Sequence, residues 1–325
     1  MPSYDLVATR PCGRSRIPRP AIPMSLFRSL KRSLRRALLP TRLMQDLETM
    51  RMAQGRILGQ LNSAKPVQPL RDCEFTVFSQ FGEDGIIQKL ISELPIAHRT
   101  FIEFGVEDFV ESNCRFLMMN NNWRGFVLDG SATAIASLKR SNWWWKYDVR
   151  AAHRFITRDT LNACLRASGF DQDLGLLSID VDGVDYWLLE ALRDYSPRIL
   201  VVEYNALFGG ERKITVPYHE AFSRRQQHYS DLYFGASLGA LTHIANQKGY
   251  SLVGTTSTGV NAFFVRNDLM GGLASLSGVD GYTATCVRQS RNREGRLDYL
   301  NREEQYAAVR GLPVVNVETG ETEAL

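Results

Sequence analysis

The sequence predicts an α/β protein built on a mainly parallel sheet. From Thr100 to Arg266 short apolar segments alternate with helix-patterned ones, the signature of strands joined by helical crossovers. The last two apolar segments, "YSLVGTT" and "NAFFVR", are separated by little more than "STG" and predict a hairpin instead of another crossover. Third, nearly every predicted strand delivers a carboxylate to its end.

The elements follow in order. "TFIEFGV" (100–106) predicts the first strand, with a helix near 111–121 after it. "GFVLDG" (125–130) is the second strand and "ATAIASLKRS" its helix. "WWKYDV" (144–149) reads as the third strand because aromatic and β-branched residues favour pleated surfaces, and a helix follows near 157–168. "LGLLSIDV" (174–181) is the fourth strand, "DYWLLEAL" its helix, and "RILVVEYN" (198–205) the fifth. A helix over 235–249 ends at Gly249, as helix C-termini prefer. Residues 268–325 are polar and weakly patterned, with one helix expected at 301–309.

The N-terminal region has another character. Residues 1–42 hold nine Arg and one Lys against a single acid, Asp5. Residues 1–23 are rich in Pro and Arg and read as a disordered basic arm, with Met24 an alternative start. "SLFRSLKRSLRRALL" (25–39) places Leu, Phe and Ala at helical spacing with Arg and Lys opposite, the pattern of a basic amphipathic helix able to lie on an anionic membrane. A second helix is expected over 42–61, where Leu43, Leu47, Met50, Ile57 and Leu61 recur at heptad-like spacing interrupted by Gln54. The expected organisation is an arm at 1–23, a helical extension at 24–65, a central domain at 66–268 and a C-terminal extension at 269–325 packing on it.

Composition narrows the function classes. The 325 residues carry a net charge of +4, with 44% hydrophobic and 23% charged residues, ordinary globular values that do not suggest a nucleic-acid partner. Five scattered cysteines, none in a C-x-x-C pair, fit a reducing cytoplasm better than a disulfide framework or zinc knuckle. No stretch approaches the ~20 apolar residues of a membrane span.

In an open parallel sheet, ligands bind beyond the carboxyl ends of the strands. Strand one ends in Glu103-Phe104-Gly105, strand two in Asp129-Gly130, strand three in Asp148, strand four in Asp180-x-Asp182 and strand five in Glu203-Tyr204-Asn205. A single such acid is explained as a helix cap or solvated turn. Five at one edge ask for a cationic or polyhydroxyl ligand. An acid after strand two can accept both hydroxyls of a ribose, and glycine after strand one lets backbone approach closely. The G-x-G-x-x-G phosphate loop is absent, since Val106, Glu107 and Asp108 follow Gly105. Acids there repel a pyrophosphate, which disfavours a dinucleotide and an oxidoreductase. S-adenosylmethionine, with a ribose and a positive charge, suits the edge.

Four segments resemble the FkbM-type methyltransferases: "FSQFGEDGIIQKL" (78–90), "FIEFGVEDFVESN" (101–113), "NNWRGFVLDG" (121–130) and "LLSIDVDGVDYWLLEAL" (176–192). The matching features are Ser79-Gln80-x-Gly82-Glu83-Asp84, Glu103-x-Gly105, Ser112-Asn113 and Trp123-x-Gly125 ahead of Asp129. The resemblance covers roughly residues 75–266. It departs after Gly105, where the family has a small residue and a second glycine.

The resemblance implies a Rossmann-like, seven-stranded class I methyltransferase sheet, here with the N-terminal helical extension. The cysteine usage places the expected enzyme in the cytoplasm, and the basic helix expected at 25–39 gives it peripheral contact with the inner membrane face. The resemblance also implies O-methylation of a hydroxyl on a sugar, glycan or related small molecule. Glu103 and Gly105 would meet the amino-acid end of the cofactor, Asp129 the ribose and Asp148 the adenine, with Gln80 and Asn113 lining the pocket. Asp180 and His219 would orient the acceptor and take its proton. Residues two apart on a strand share a face, so Asp180 with Asp182, and Glu203 with Asn205, form a candidate Mg²⁺ or Mn²⁺ site. In the bland alternative Asp182 and Asp185 cap the next helix. The other functional reading is a non-catalytic nucleoside-binding module recruited to membranes by its N-terminal helix. Arg224 and Arg225 read as a solvated helix face, "WWW" (143–145) as core and edge packing, His153, His228 and His243 as solvated, and Cys114 and Cys164 as buried packing.

Overall fold

The computed structural model describes residues 41–67 and 69–325. The basic arm and the amphipathic segment at 25–39 lie outside the described residues. The chain divides into two compact units, residues 1–46 and 47–325. Of the first, only the opening turns of helix α1 (Thr41–Ser63) are described.

The second unit is built on seven strands: β1 (Thr100–Phe104), β2 (Arg124–Asp129), β3 (Val149–His153), β4 (Leu176–Ile179), β5 (Ile199–Glu203), β7 (Tyr250–Thr255) and β8 (Asn261–Arg266). Their order is β3-β2-β1-β4-β5-β8-β7, with β1 to β5 parallel and β8 antiparallel to both neighbours. This is the Rossmann-like class I methyltransferase sheet. Helices α2 (Glu83–Glu93), α3 (Arg115–Asn121), α4 (Ala132–Lys139), α5 (Leu161–Ala167), α6 (Asp185–Ala191) and α8 (Leu238–Gln247) flank it.

The central strands are apolar on both faces, as a sheet covered on both sides requires. Ile102, Phe104, Leu177, Ile179, Leu200 and Val202 enter one core; Phe101, Val127, Leu176, Ile199 and Val201 enter the other. Short polar caps start two of the helices. Ser131 accepts from the Ala134 amide at α4, and Ser237 from the Ala240 amide at α8.

The third strand differs from the sequence expectation. Residues 144–146 form a 3₁₀ turn, Trp143 is buried in the core, and the strand begins at Val149. β3 is an edge strand with only Val149 fully buried, so it carries little of the apolar pattern by which strands are recognised.

The chain between β5 and α8 forms a cover that includes β6 (Ile214–Thr215) and the short helix α7 (Arg224–Gln227). The C-terminal residues add α9 (Arg302–Val309), β9 (Pro313–Asn316) and β10 (Thr322–Ala324). β9 and β10 complete a second, antiparallel sheet with β6, and Val309, Val314 and Leu325 pack with Leu207, Phe208 and Leu232 of the cover. The tail thus braces the segment that roofs the sheet edge. No helix among the described residues is long and apolar enough to cross a membrane.

Candidate active site

The site grows from the turn after β4. Asp180 leaves the strand, Asp182 adopts a left-handed conformation (φ 58°), and Asp185 folds back beneath it. Asp carries that conformation more readily than most residues. The Asp185 carboxylate is fully buried and accepts from the Val181 amide at 2.9 Å and the Gly183 amide at 3.0 Å. It closes the turn and does not cap the helix. Asp182 instead points outward to Arg224, at 2.6 Å. Strand alternation does not reach Asp182 because β4 ends at Ile179, so Asp180 and Asp182 do not share a face.

Three carboxylates converge here. Oxygens of Asp180, Asp185 and Glu203 all lie within 4.8 Å of one another. Glu203 is 7% exposed and its Oε2 is buried without a partner. Asp180, half-buried, accepts no hydrogen bond among the described residues. Desolvation raises all three above the ordinary carboxylate range, and mutual repulsion adds to it. Asp185, relieved by its backbone donors, reaches about 6, while Asp180 and Glu203 are pushed up further.

The cover supplies the opposing charge. Arg224 donates to the Asp231 carbonyl through Nε (3.0 Å) and Nη2 (2.9 Å) and to Asp182 through Nη1, and lies 3.8 Å above the Phe234 ring. Its guanidinium pKa is raised despite burial, because Asp182 and Glu203 face it. The solvated-face reading of Arg224 is therefore wrong; that of Arg225 is nearer, since it is half exposed with one long contact to Asp231. Phe222 presses on Gly183, where an added Cβ would meet the ring at 2.2 Å. The Gly235 amide bonds the Gly183 carbonyl, which ties the cover to the turn.

Beside this cluster lie the ends of β1 and β2. Gly105 (φ 74°) is required there because a Cβ would fall 1.6 Å from the Asp180 carbonyl oxygen. The close approach that glycine permits here is between two strand ends. Asp129 accepts from the Glu107 amide (2.7 Å) and the Ser131 amide (2.6 Å), leaving each oxygen a free lone pair. Glu103 is nearly enclosed and takes the Ser112 hydroxyl and the Asn113 and Cys114 amides; burial lifts it to about 7. Asn113 donates to Ser178 on β4. Glu103 and Asn113 thus bind the 112–114 turn to the sheet and support the pocket from behind.

Several expected site residues lie elsewhere. Asp148 precedes β3 instead of ending it, so it stands at the opposite edge of the sheet, exposed and paired with Arg124 at 2.6 Å; it cannot meet an adenine bound beyond the carboxyl ends. Asn205 spends its amide on the cover, donating to the Leu232 and Phe234 carbonyls and accepting from the Leu207 amide. Its Oδ1 is aimed at the Leu207 amide and keeps one lone pair. His219 is exposed and makes no side-chain hydrogen bond among the described residues, so no Asp180–His219 pair forms. Gln80 is exposed and donates to Glu111.

The sequence reading gives Asp185 only a capping role and Arg224 only a solvated one, and it passes over Phe155. Phe155 is 56% exposed, and its ring comes within 3.2 Å of a Cβ built on Gly130. With β3 placed at 149–153, an aromatic two residues past its end would have signalled a surface beside Asp129.

No family model matches this chain, and no curated protein matches it. Among solved structures, it is similar to the N-terminal domain of EvdMO1 with SAH bound (12% identity, 65% of this chain and 94% of that one, TM-score 0.37). It is also similar to an S-adenosylmethionine-dependent methyltransferase from Clostridium acetobutylicum (8%, 57% and 90%, TM-score 0.35). A third is TehB from Haemophilus influenzae (10%, TM-score 0.33), where the match takes in 55% of this chain and only 59% of TehB's own length. These likenesses concern the fold alone.

Proposed function

We propose that this chain is an S-adenosylmethionine-dependent O-methyltransferase of the FkbM type, acting on a hydroxyl of a sugar, glycan or related small molecule. The observation that carries the reading is Glu203, buried with an unpartnered oxygen beside the half-buried Asp180, at the same strand-end edge of the sheet as Asp129. A buried carboxylate without a partner is costly unless a ligand meets it. A cofactor bearing a sulfonium, an ammonium and a ribose fits that donor set.

Asp129 would hold the ribose hydroxyls with its free lone pairs, and the exposed Phe155 ring the adenine face. When bound, S-adenosylmethionine supplies the electrophilic methyl group. The chain's own work is to present and deprotonate the acceptor. Asp180, held above the usual carboxylate range by burial and then by Asp182, Asp185 and Glu103, is the group placed to accept the hydroxyl proton. Trp187 of α6 packs against Tyr218 of the cover, and both lie with Phe222 against the core below it.

A second reading is favoured by the same convergence. Asp180, Asp185 and Glu203 could together ligate Mg²⁺ or Mn²⁺, oxygen-seeking cations that would offset the repulsion and acidify an acceptor hydroxyl. This trio replaces the set with Asp182 and Asn205.

The test is S-adenosylhomocysteine binding followed by thermal unfolding and calorimetry, then methyl transfer to hydroxylated acceptors. Binding should raise Tm, and Asp129→Ala should weaken it by about 1.5–3 kcal/mol, roughly ten- to hundredfold. Equal binding by the variant, or a preference for NAD, overturns the reading. Binding with no turnover on any hydroxylated acceptor would leave the non-catalytic module. Loss of turnover in EDTA with recovery in Mg²⁺ selects the metal-assisted form.

A further inference from the structure

Helix α1 has two apolar faces, and the fold uses only one. Met52, Gly55 and Asn62, flanked by Glu48 and Gly59, form the stripe that packs on the domain. Glu48 pairs with Arg115 at 3.1 Å, a Cβ at Gly55 would overlap Val77 and Phe116, and Asn62 donates to the Cys73 carbonyl at 2.6 Å. The opposite stripe, Leu47, Met50, Gln54, Ile57 and Leu61, faces away from the domain, and its four apolar members are 42–61% exposed. The spacing runs +3, +4, +3, +4, the alternation of a heptad seam with Leu47, Gln54 and Leu61 at a and Met50 and Ile57 at d.

We propose that this seam is the interface of a homodimer in which α1 pairs with α1 of a second copy, parallel and in register. Four features choose that occupant. The a and d positions repeat in strict register, with Met44 and Leu58 as exposed apolar residues at e beside them, and that repeat is the seam of a coiled coil. Gln54 is the single polar residue of the seam, and a lone amide at an a position is satisfied by its own copy across a parallel, in-register pair. Asp46 at g and Arg51 at e stand five residues apart, the offset at which g and e side chains of parallel helices meet, so the pairing brings opposite charges together twice. Leu58 continues the seam into a cleft of about 360 Å³ lined by Gln54, Phe75 and Val77, which gives a partner helix a second wall.

A seam of about two heptads is short for an isolated coiled coil, because an isolated helix of this length is marginal in water. Here the domain already holds α1 helical through its inner stripe, so association need not order it.

The experiment uses the full chain in sedimentation velocity at micromolar concentration. The wild type should sediment as a dimer, and Leu47→Lys with Ile57→Lys should weaken dimerisation at least about a hundredfold. Both positions are exposed, so Tm measured as monomer should be preserved. In a background with Cys12 and Cys286 replaced by serine, Leu47→Cys should form an intermolecular disulfide on mild oxidation; an antiparallel pair would not bring the two copies of residue 47 together. A monomeric wild type, or a double variant that remains dimeric, overturns the proposal. So does loss of the dimer on deleting residues 1–40 with α1 intact, which would give the interface to that segment. A monomer that sediments with anionic vesicles through Leu47 and Ile57 would make the seam a membrane face.

Discussion

Asp84 and Glu203 are both buried carboxylates, and they do opposite things. One Asp84 oxygen accepts three backbone amides, from Val77, Phe78 and Ser79 at 2.7, 2.7 and 2.9 Å. It turns the segment 77–79 into the mount on which α2 sits. Glu203 accepts nothing at Oε2 and looks across at two more acids. An oxygen filled by three chain amides makes Asp84 architecture even though its other oxygen, Oδ1, is buried without a partner; a carboxylate at a strand end with no chain donor among the described residues is chemistry waiting for a ligand. Distance and burial alone do not tell them apart. The hydrogen-bond inventory does.

The largest effect that should follow is on stability. Asp84→Ala strands three buried amides, each worth about 1–3 kcal/mol, so urea unfolding should show a loss of at least ~3 kcal/mol. Glu203→Gln removes one charge from a repelling cluster and should leave Tm unchanged or raise it. A Glu203→Gln variant destabilised like Asp84→Ala would erase the distinction. Next comes turnover. Asp180→Asn should lower methyl transfer by about 10²–10⁴-fold, the usual worth of a positioned proton acceptor, while S-adenosylhomocysteine affinity stays within a few-fold. A loss confined to cofactor binding would move Asp180 from the acceptor side to the cofactor side.

The filled acids should also be visible in the pH dependence of stability. Asp84 and Asp185, at about 6, and Glu103, at about 7, hold protons more tightly in the folded chain than their ordinary values of 3.8 and 4.5. Their contribution is fully present below those ordinary values and is lost as pH rises through 6 to 7. Asp173, lowered mainly by its hydrogen bonds from Arg198, has the opposite sign and loses its contribution as pH falls below 3.8. In EDTA, Tm should therefore peak near pH ~4 and decline toward pH 8, by on the order of 1–3 kcal/mol of stability. A Tm that climbs between pH 5 and 8 would mean these groups are solvated. The smallest effect belongs to Asp148. Its Ala variant breaks a surface ion pair worth about 0–1 kcal/mol and should alter S-adenosylhomocysteine affinity by less than about twofold. A tenfold loss in calorimetry would restore it to the pocket.

By itself the sequence determined the layered architecture. Strands buried on both faces must be apolar throughout, so β1, β2, β4 and β5 announce themselves, and the closing hairpin shows in its short connection. The edge strand β3 lacked that signal, and its misplacement carried Asp148 to the wrong side of the sheet. The acids at the ends of β2, β4 and β5 were legible because a charged residue closing an apolar run is conspicuous. What each acid does was decided only by the tertiary structure. Asp185 is one residue of a helix start in sequence; in space it fills a turn and joins Asp180 and Glu203 from another strand. Arg224 sits 21 residues beyond Glu203 in a polar stretch, and only the folding of the cover over the sheet edge, braced by the C-terminal strands, sets it against Asp182. Periodicity reports which face of an element is buried. Which polar atoms then meet depends on loops and on contacts between residues far apart in the chain, and a local pattern carries no record of them.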